Sequence, residues 1–352
     1  MMIHSHSKDY EIEIYDTFDF TKALFALDHK LIVADRKVYG LYKDSVFSSQ
    51  NAEDIFLIDA TEDAKTMETV LAICERMTRL DAKKNANLIS VGGGIIQDIT
   101  GFVANILYRG INWHFVPTTL LASADSCLGS KTSLNFLNYK NLFGTFYPPN
   151  KVYICPLFVK TLDRDDYLSG LGEVVKFNVM AAAEGVDRLE KDIDRLLAHD
   201  YTLLVEYIRR SLAFKKPFVE EDEFDTGVRR LLNFAHTFGH AIESLSNYAV
   251  PHGQAVSVGM LIANRISVGR KLLTEETCKR IEAIVTKVIS VEIKPDYLEP
   301  DKITAVMKKD KKRQGEGLAA VIIDESLKLK LVFDILPTEV ERALKDIVVA
   351  LL

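Results

Sequence analysis

The chain has 352 residues, 48% of them hydrophobic and 27% charged, with a formal net charge of −6. That length and balance fit a globular protein with room for two sizeable cores, and an acidic chain with dispersed basic residues speaks against a nucleic-acid partner. The polar opening stretch has no apolar signal core, no apolar run reaches the roughly 18 residues of a membrane span, and the four scattered cysteines form no C-x-x-C pair, so a reducing, cytoplasmic setting is expected.

In chain order, "KLIVADR" (30–36) and "DIFLIDA" (54–60) predict short buried strands. "AKTMETVLAICERMTRLDA" (64–82) has helical spacing, with Met67, Val70, Leu71 and Cys74 on one face. "ANLISVGGG" (86–94) reads as a strand running into glycines, followed by a helix over 95–110 and a strand over 112–120. Alternation of this kind predicts a parallel sheet flanked by helices. The stretch 123–149, dense in Asp125, Lys131, Asn135, Asn138, Lys140 and Asn141, reads as a long polar loop suited to hydroxyls and a phosphate. From about residue 160 helical patterns dominate: 165–182, 186–196, 201–217, 227–246, 253–271, 275–289 and 301–309. A strand pair, 318–323 and 327–333, precedes a last helix over 337–352. The expected organisation is an α/β domain over 1–162 and a mainly helical domain over 163–352.

Two stretches invite chemistry. "VGGGIIQD" (91–98) places consecutive glycines at a strand-to-helix junction, where the backbone can approach a diphosphate and the helix N-terminus offers free N–H groups. It is not the G-x-G-x-x-G fingerprint, and a purely structural turn is the other reading. "PTT" (117–119) follows the next strand end. In "LLNFAHTFGHAIE" (231–243), His236 and His240 lie one helical turn apart, which serves a metal, a proton transfer or mere packing. No H-E-x-x-H is present, since Thr237, Phe238 and Gly239 fill the gap, so a metalloprotease site is excluded. His252 opens another helix, and Glu173 lies on an apolar one where a buried carboxylate needs a partner. Two imidazoles and a carboxylate, with a fourth position open, make the ligand set of a catalytic zinc. Lys176, one turn from Glu173, would face the same pocket.

Together "GGGIIQDITGF…YRG…PTTLLASADSCLGSKTSLN…KNLFGTF…LGEVVK…FKK…GVRRLLNFAHTFGHAIE…HGQAV…DKK" resembles the 3-dehydroquinate synthase family of sugar phosphate cyclases from about residue 35 to 335, in matching order. The resemblance implies a Rossmann-like NAD-binding α/β domain, a helical metal- and substrate-binding domain, and a homodimer. It implies Zn²⁺, or Co²⁺ in its place, on Glu173, His236 and His252, and assigns His240 to proton transfer beside the substrate phosphate. Contacts to NAD are implied for Asp35, Glu62, Lys65, Gly92, Gly93, Gly94, Asp98, Thr118, Thr119, Lys140, Phe158 and Thr161. Substrate contacts are implied for Asp125, Lys131, Asn141, Lys176, Lys215, Arg229, Asn233, His240 and Lys311, with Lys312 as the alternative to the last. Arg109 matches an arginine that reaches a phosphate in the neighbouring subunit. Catalytic roles fall to His240, Asp225, Lys176 and Asp125.

The implied reaction is a carbon–oxygen lyase step of the shikimate pathway, in aromatic amino acid biosynthesis. It takes a phosphorylated sugar acid, 3-deoxy-arabino-heptulosonate 7-phosphate, to 3-dehydroquinate and phosphate, with NAD recycled rather than consumed. The chain departs from the family pattern at several points. Gln97, Ser130, Ser133 and Ala235 replace glycines, Cys155 and Pro156 replace an Asp-Thr pair, and Asp225 stands for a glutamate. Those changes keep open another seven-carbon sugar phosphate as substrate. A polyol or glycerol-phosphate dehydrogenase of the wider superfamily, or a non-catalytic binding protein, are the remaining readings.

Overall fold

The computed structural model describes residues 1–80, 83–137, 139–308 and 317–351. Asn138, and Lys311 with its alternative Lys312, lie outside the described residues. The chain divides into two compact units, Met1–Leu162 and Asp163–Leu352.

In the first unit the strands are β1 (Met2–Ile3), β2 (Tyr10–Ile14), β3 (Lys30–Asp35), β4 (Ile55–Ile58), β5 (Asn87–Gly92), β6 (Asn112–Pro117), β7 (Lys131–Phe136), β8 (Tyr139–Phe146) and β9 (Lys151–Ile154). The helices are α1 (Phe20–Leu24), α2 (Arg36–Tyr42), α3 (Met67–Thr78) and α4 (Gly94–Ile106). Among the described residues, seven strands form one sheet in the order β1-β2-β9-β6-β5-β3-β4, parallel except for the β1–β2 pair. Leu31, Ile32, Val33 and Ala34 of β3 and Leu88, Ile89 and Val91 of β5 are fully buried, as parallel strands covered on both faces require. Val91 lies beside Ala34 and Gly92 beside Pro117, which aligns the carboxyl ends of β3, β5 and β6. The chain leaves β3 toward β4 and returns to β5 on the other side, so the glycine turn after β5 sits where strand order reverses. Ligands of open parallel sheets bind at such reversals.

The described residues of the expected long loop over 123–149 form ordered structure instead. It comprises a π-helical turn, Ala122–Ser126, and the antiparallel hairpin β7–β8. Thr132 and Leu134 are buried while Lys131 is exposed and Ser133 and Asn135 are partly so, the alternation of a half-buried strand. Three further strands, β1, β2 and β9, lie in stretches that the apolar runs did not mark.

The second unit contains α5 (Arg164–Met180), α6 (Ala183–Leu197), α7 (Tyr201–Glu221), α8 (His236–Leu245), α9 (His252–Gly269), α10 (Glu275–Val285), α11 (Pro300–Lys308), the antiparallel pair β10 (Leu318–Ile323) and β11 (Leu329–Ile335), and α12 (Pro337–Leu351). Helix α9 is buried from Gly253 to Asn264. Glycines let its neighbours come close. A Cβ on Gly172 of α5 would stand 2.4 Å from the Gly253 carbonyl oxygen, and one on Gly259 of α9 would stand 2.3 Å from that of Ala235.

The helix expected over 227–246 is broken. A 3-10 turn, Val228–Asn233, precedes α8, and Ala235 between them has φ +69°. This left-handed residue accompanies the close approach to Gly259. The helix expected over 275–289 ends at Val285 and continues as the 3-10 turn Thr286–Val288. Among the described residues no helix is long and apolar enough to cross a membrane.

Candidate metal and dinucleotide sites

In the second unit three helix segments converge on one carboxylate. Glu173 of α5 is 0% exposed, and its Oε1 lies 3.5 Å from His236 Nε2 and 3.4 Å from His252 Nε2. His236 and His252 are the first residues of α8 and α9. The three ligand atoms all lie within 4.8 Å of one another. A tetrahedral zinc with bonds of about 2.1 Å sets its ligands roughly 3.4 Å apart, so the spacing fits such an ion. Neither Glu173 oxygen accepts a hydrogen bond of good geometry, and with Lys176 beside Oε2, Oε1 is a buried acceptor for which a metal cation is a fitting partner.

The imidazoles are oriented from behind. His236 Nδ1 stands 3.0 Å from the Phe234 carbonyl oxygen, which can only accept, so Nδ1 carries the proton and Nε2 keeps its lone pair. His252 Nδ1 lies 3.3 Å from Glu243 Oε2. Burial and the Lys176 charge hold His236 well below its usual value, hence neutral. Burial opposes a charge on His252, but the nearby Glu173 and Glu243 carboxylates outweigh that and raise it to about 10. Burial likewise opposes ionisation of Glu173, yet Lys176 and the two imidazoles hold it well below the carboxylate range.

Lys176 Nζ sits 2.6 Å from Glu173 Oε2, 3.3 Å from the Leu232 carbonyl oxygen and 4.3 Å from the centre of the Phe177 ring. His240 packs its ring 5.4 Å from that of His236 and 5.9 Å from that of His252, and its residue is the exposed one of the three. His240, Glu243 and His252 form a second cluster of ligand-type atoms that shares His252 with the first.

The segment 222–233 carries three more of the residues singled out above. Asp222 accepts from the backbone N–H of Thr226 (3.0 Å), Gly227 (2.7 Å) and Arg229 (3.1 Å), and so shapes the turn that bears Asp225. Asp225 adopts φ +57°. The buried Arg229 donates through Nη1 to the Glu223 carbonyl oxygen. Asn233 donates to the Arg230 carbonyl oxygen at 3.1 Å. Lys215 is buried on α7. Sequence reasoning passed over Glu243 and Asp222. Glu243, seven residues after His236, shares its helix face, which was the available signal.

In the first unit, a Cβ on Gly92 would stand 2.5 Å from Ile96 Cγ1, and one on Gly93 would stand 2.9 Å from Thr119 Cγ2. The turn is therefore closed to side chains. Gly93 N-caps α4 with no side-chain cap. Thr118 follows β6 with its N–H on the Gly92 carbonyl oxygen at 3.0 Å, and its buried Oγ1 has no hydrogen-bond partner. A helix N-terminus, a cradle without Cβ atoms and an orphaned hydroxyl together fit a dinucleotide. Asp35 ends β3 and accepts from Lys37 N at 2.9 Å, and burial raises its carboxyl. Thr119 Oγ1 accepts from Ala122 N at 3.1 Å, at the start of the π-helical turn that holds Asp125.

Glu62 accepts from Asn135 Nδ2 at 2.8 Å and lies 3.8 Å from Lys140 Nζ. Lys65 Nζ reaches Asp98 Oδ2 at 2.8 Å and Asn141 Oδ1 at 2.7 Å. Burial raises the Asp98 carboxyl, against the pull of Lys65. Phe158 is buried, its ring 4.9 Å from that of Tyr42, so any ligand contact there uses its backbone. Thr161 Oγ1 bonds to Tyr42 Oη at 2.9 Å. Lys131 is exposed at the start of β7. Arg109 is also exposed, with φ +61°.

Two of the departures bridge these elements. Gln97 of α4 donates from Nε2 to the Ser126 carbonyl oxygen at 2.7 Å and accepts from Ser126 Oγ at 2.6 Å. Ser133 Oγ lies 2.9 Å from Asp98 Oδ2.

Comparison with known proteins points the same way in both units. The family model for the 3-dehydroquinate synthase N-terminal region matches residues 55–169, and that for the C-terminal region matches residues 170–313. A 3-dehydroquinate synthase of Dictyoglomus thermophilum is 33% identical over 344 residues, 96% of each chain. One of Dictyoglomus turgidum is 35% identical over 307 residues, covering 87% of this chain and 85% of its own. The structure of a 2-epi-5-epi-valiolone synthase from Streptomyces hygroscopicus subsp. jinggangensis, with NAD⁺ and Zn²⁺ bound, superposes with a TM-score of 0.86 at 26% identity over 98% of each chain.

Proposed function

Because the chain belongs to the 3-dehydroquinate synthase family, we propose that it converts 3-deoxy-arabino-heptulosonate 7-phosphate to 3-dehydroquinate and inorganic phosphate, with NAD and a divalent metal as resident cofactors. The observation that carries this reading is the convergence of Glu173, His236 and His252 from three interlocked helices. When bound, the metal supplies Lewis acidity and NAD a reversible hydride acceptor.

The protein's own groups do the rest. Glu173, His236 and His252 hold the ion, and Glu243 and the Phe234 carbonyl aim the two imidazoles. Lys176 offsets the Glu173 charge and offers its ammonium to a substrate oxygen. Lys215, Arg229 and Asn233 hold the anionic groups of the sugar acid, with Lys311 in the same role. His240, the exposed imidazole of the three, moves a proton beside the phosphate. Asp225 accepts a proton at the end of the turn that Asp222 shapes. In the first unit, Asp35, Glu62, Lys65, Asp98, Thr118, Thr119, Lys140, Phe158, Thr161 and the 92–94 glycines bind NAD. Asp125, Lys131 and Asn141 bind substrate hydroxyls and phosphate.

A cytoplasmic homodimer completes the reading. Arg109 is exposed as an arginine serving a second copy must be. Phe136, Leu137, Tyr139, Leu142 and Phe143 expose apolar surface on the β7–β8 hairpin, as an interface between copies would use.

A substrate panel tests the proposal. With zinc and NAD⁺ loaded, the heptulosonate phosphate should yield a carbocyclic product identified by mass, while sedoheptulose 7-phosphate yields none. Turnover of sedoheptulose 7-phosphate alone would transfer the reading to another cyclase, and net accumulation of NADH would transfer it to a dehydrogenase.

A further inference from the structure

The resemblance noted above puts a glycine where this chain has Ser133, whose hydroxyl makes contacts a glycine cannot. Ser133 Oγ lies 3.1 Å from Lys65 Nζ, 2.9 Å from Asp98 Oδ2 and 2.7 Å from Asn141 Oδ1. Lys65 Nζ is itself 2.8 Å from Asp98 Oδ2 and 2.7 Å from Asn141 Oδ1. Lys65 is 4% exposed, so these oxygens take the place of water around its ammonium. An ammonium only donates, so the Asn141 atom facing it is the amide oxygen, and Nδ2 points elsewhere. A serine hydroxyl carries one proton. Accepting from Lys65, it can donate to Asp98 or to Asn141 but not to both.

We propose that Ser133 is a positioning residue that couples dinucleotide binding at Asp98 to substrate binding at Asn141 by exchanging this single hydrogen bond. The inference rests on the reading above that Asp98 meets NAD and Asn141 meets the sugar phosphate. While no ligand occupies Asp98, the Ser133 proton is shared between the two oxygens. A cofactor hydroxyl that donates to Asp98 turns that proton toward Asn141 Oδ1. Ser133 and Lys65 then fix the amide from its oxygen side, and Nδ2 is presented to a substrate oxygen.

The Asn141 backbone is already held. It adopts φ +52°, its N–H donates to Asn135 Oδ1 at 2.9 Å, and Asn135 Nδ2 is tied to Glu62 Oε2 at 2.8 Å. What remains to be set is the aim of the side chain, which Ser133 supplies. Coupling of this kind is reciprocal: substrate held by Asn141 tightens NAD by the same factor that NAD tightens substrate.

Calorimetry on the zinc-loaded protein tests this. The dissociation constant of NAD⁺ is measured alone and with a saturating phosphonate analogue of the heptulosonate phosphate, whose C–P bond cannot be eliminated as phosphate. In the unaltered protein the analogue should tighten NAD⁺ about fivefold or more, within the usual range of coupling between sites. Ser133→Ala should bring that ratio to about one, and Ser133→Thr, which keeps the hydroxyl, should restore it. A purely structural role would lower the melting temperature of Ser133→Ala and leave the ratio unchanged, which overturns the proposal. Analogue binding to the unaltered protein with no effect on NAD⁺ overturns the coupling alone. An analogue that does not bind contradicts the substrate reading and the coupling with it.

Discussion

Glu243 Oε2 lies 3.3 Å from His252 Nδ1, on the side of the ring opposite the Nε2 that faces Glu173. A carboxylate behind a metal-ligating imidazole fixes its tautomer and rotation and makes it a stronger ligand. Glu243→Ala should therefore lower zinc affinity by about 10- to 100-fold, measured by competition with a chromophoric chelator. Unchanged affinity would show that Glu243 does not orient His252.

Glu173 and Lys176 are paired at 2.6 Å with 0% and 2% of their side chains exposed. Removing one charge of such a pair leaves the other buried without compensation. Glu173→Gln should cost about 3–5 kcal/mol of stability and abolish zinc binding. Adding Lys176→Met should recover part of the stability without recovering zinc, because the lost ligand is still missing. Urea unfolding and metal analysis on the single and double variants separate the two effects.

Gln97 clamps the first turns of α4 to Ser126 through bonds of 2.7 and 2.6 Å. Gln97→Ala keeps helix propensity and removes both bonds, which should cost about 1–3 kcal/mol in urea unfolding. A cost near zero would mean that water replaces the side chain without penalty. The π-helical turn bearing Asp125 would then hold its place without Gln97.

Asp222 supplies a pH dependence whose sign is fixed. Partial burial pushes its carboxyl up, but the N–H groups of Thr226, Gly227 and Arg229 outweigh this and hold it below its ordinary value. A carboxyl depressed in the folded state stabilises above its unfolded pKa, and that contribution disappears as pH falls through the folded value. Asp222→Asn should thus flatten the acid limb of the stability profile in thermal melts, with little change in its slope above neutral pH. An acid limb unaltered by the substitution would contradict this account of the turn.

What could be read from the chain followed the range over which each feature is determined. Strands β3 and β5 were legible because strands buried on both faces read as continuous apolar runs. Strand β2, "YEIEI", is partly buried and alternates, and it is completed only by pairing with β9, some 140 residues later (Glu11 beside Lys151). The hairpin β7–β8 was read as loop because Lys131, Ser133 and Asn135, on its more open face, dominate the local composition.

The break at Ala235 could not be read, since apolar spacing runs through it and the approach of Gly259 from α9 that accompanies it is a tertiary contact. The three metal-ligand candidates were legible because their residue types and flanking motifs are local, and the structure brings Glu173, His236 and His252 within reach of one ion. Ser133 was visible as a departure, but its contacts were not, because Lys65 lies 68 residues away.

The most direct measurement is phosphate release from 3-deoxy-arabino-heptulosonate 7-phosphate by zinc-loaded protein with NAD⁺ equimolar to the enzyme. The account predicts many phosphates released per NAD⁺, with dehydroquinate formed and no net NADH. No release from protein shown to hold both zinc and NAD⁺, or release that stops at one phosphate per NAD⁺, would contradict it.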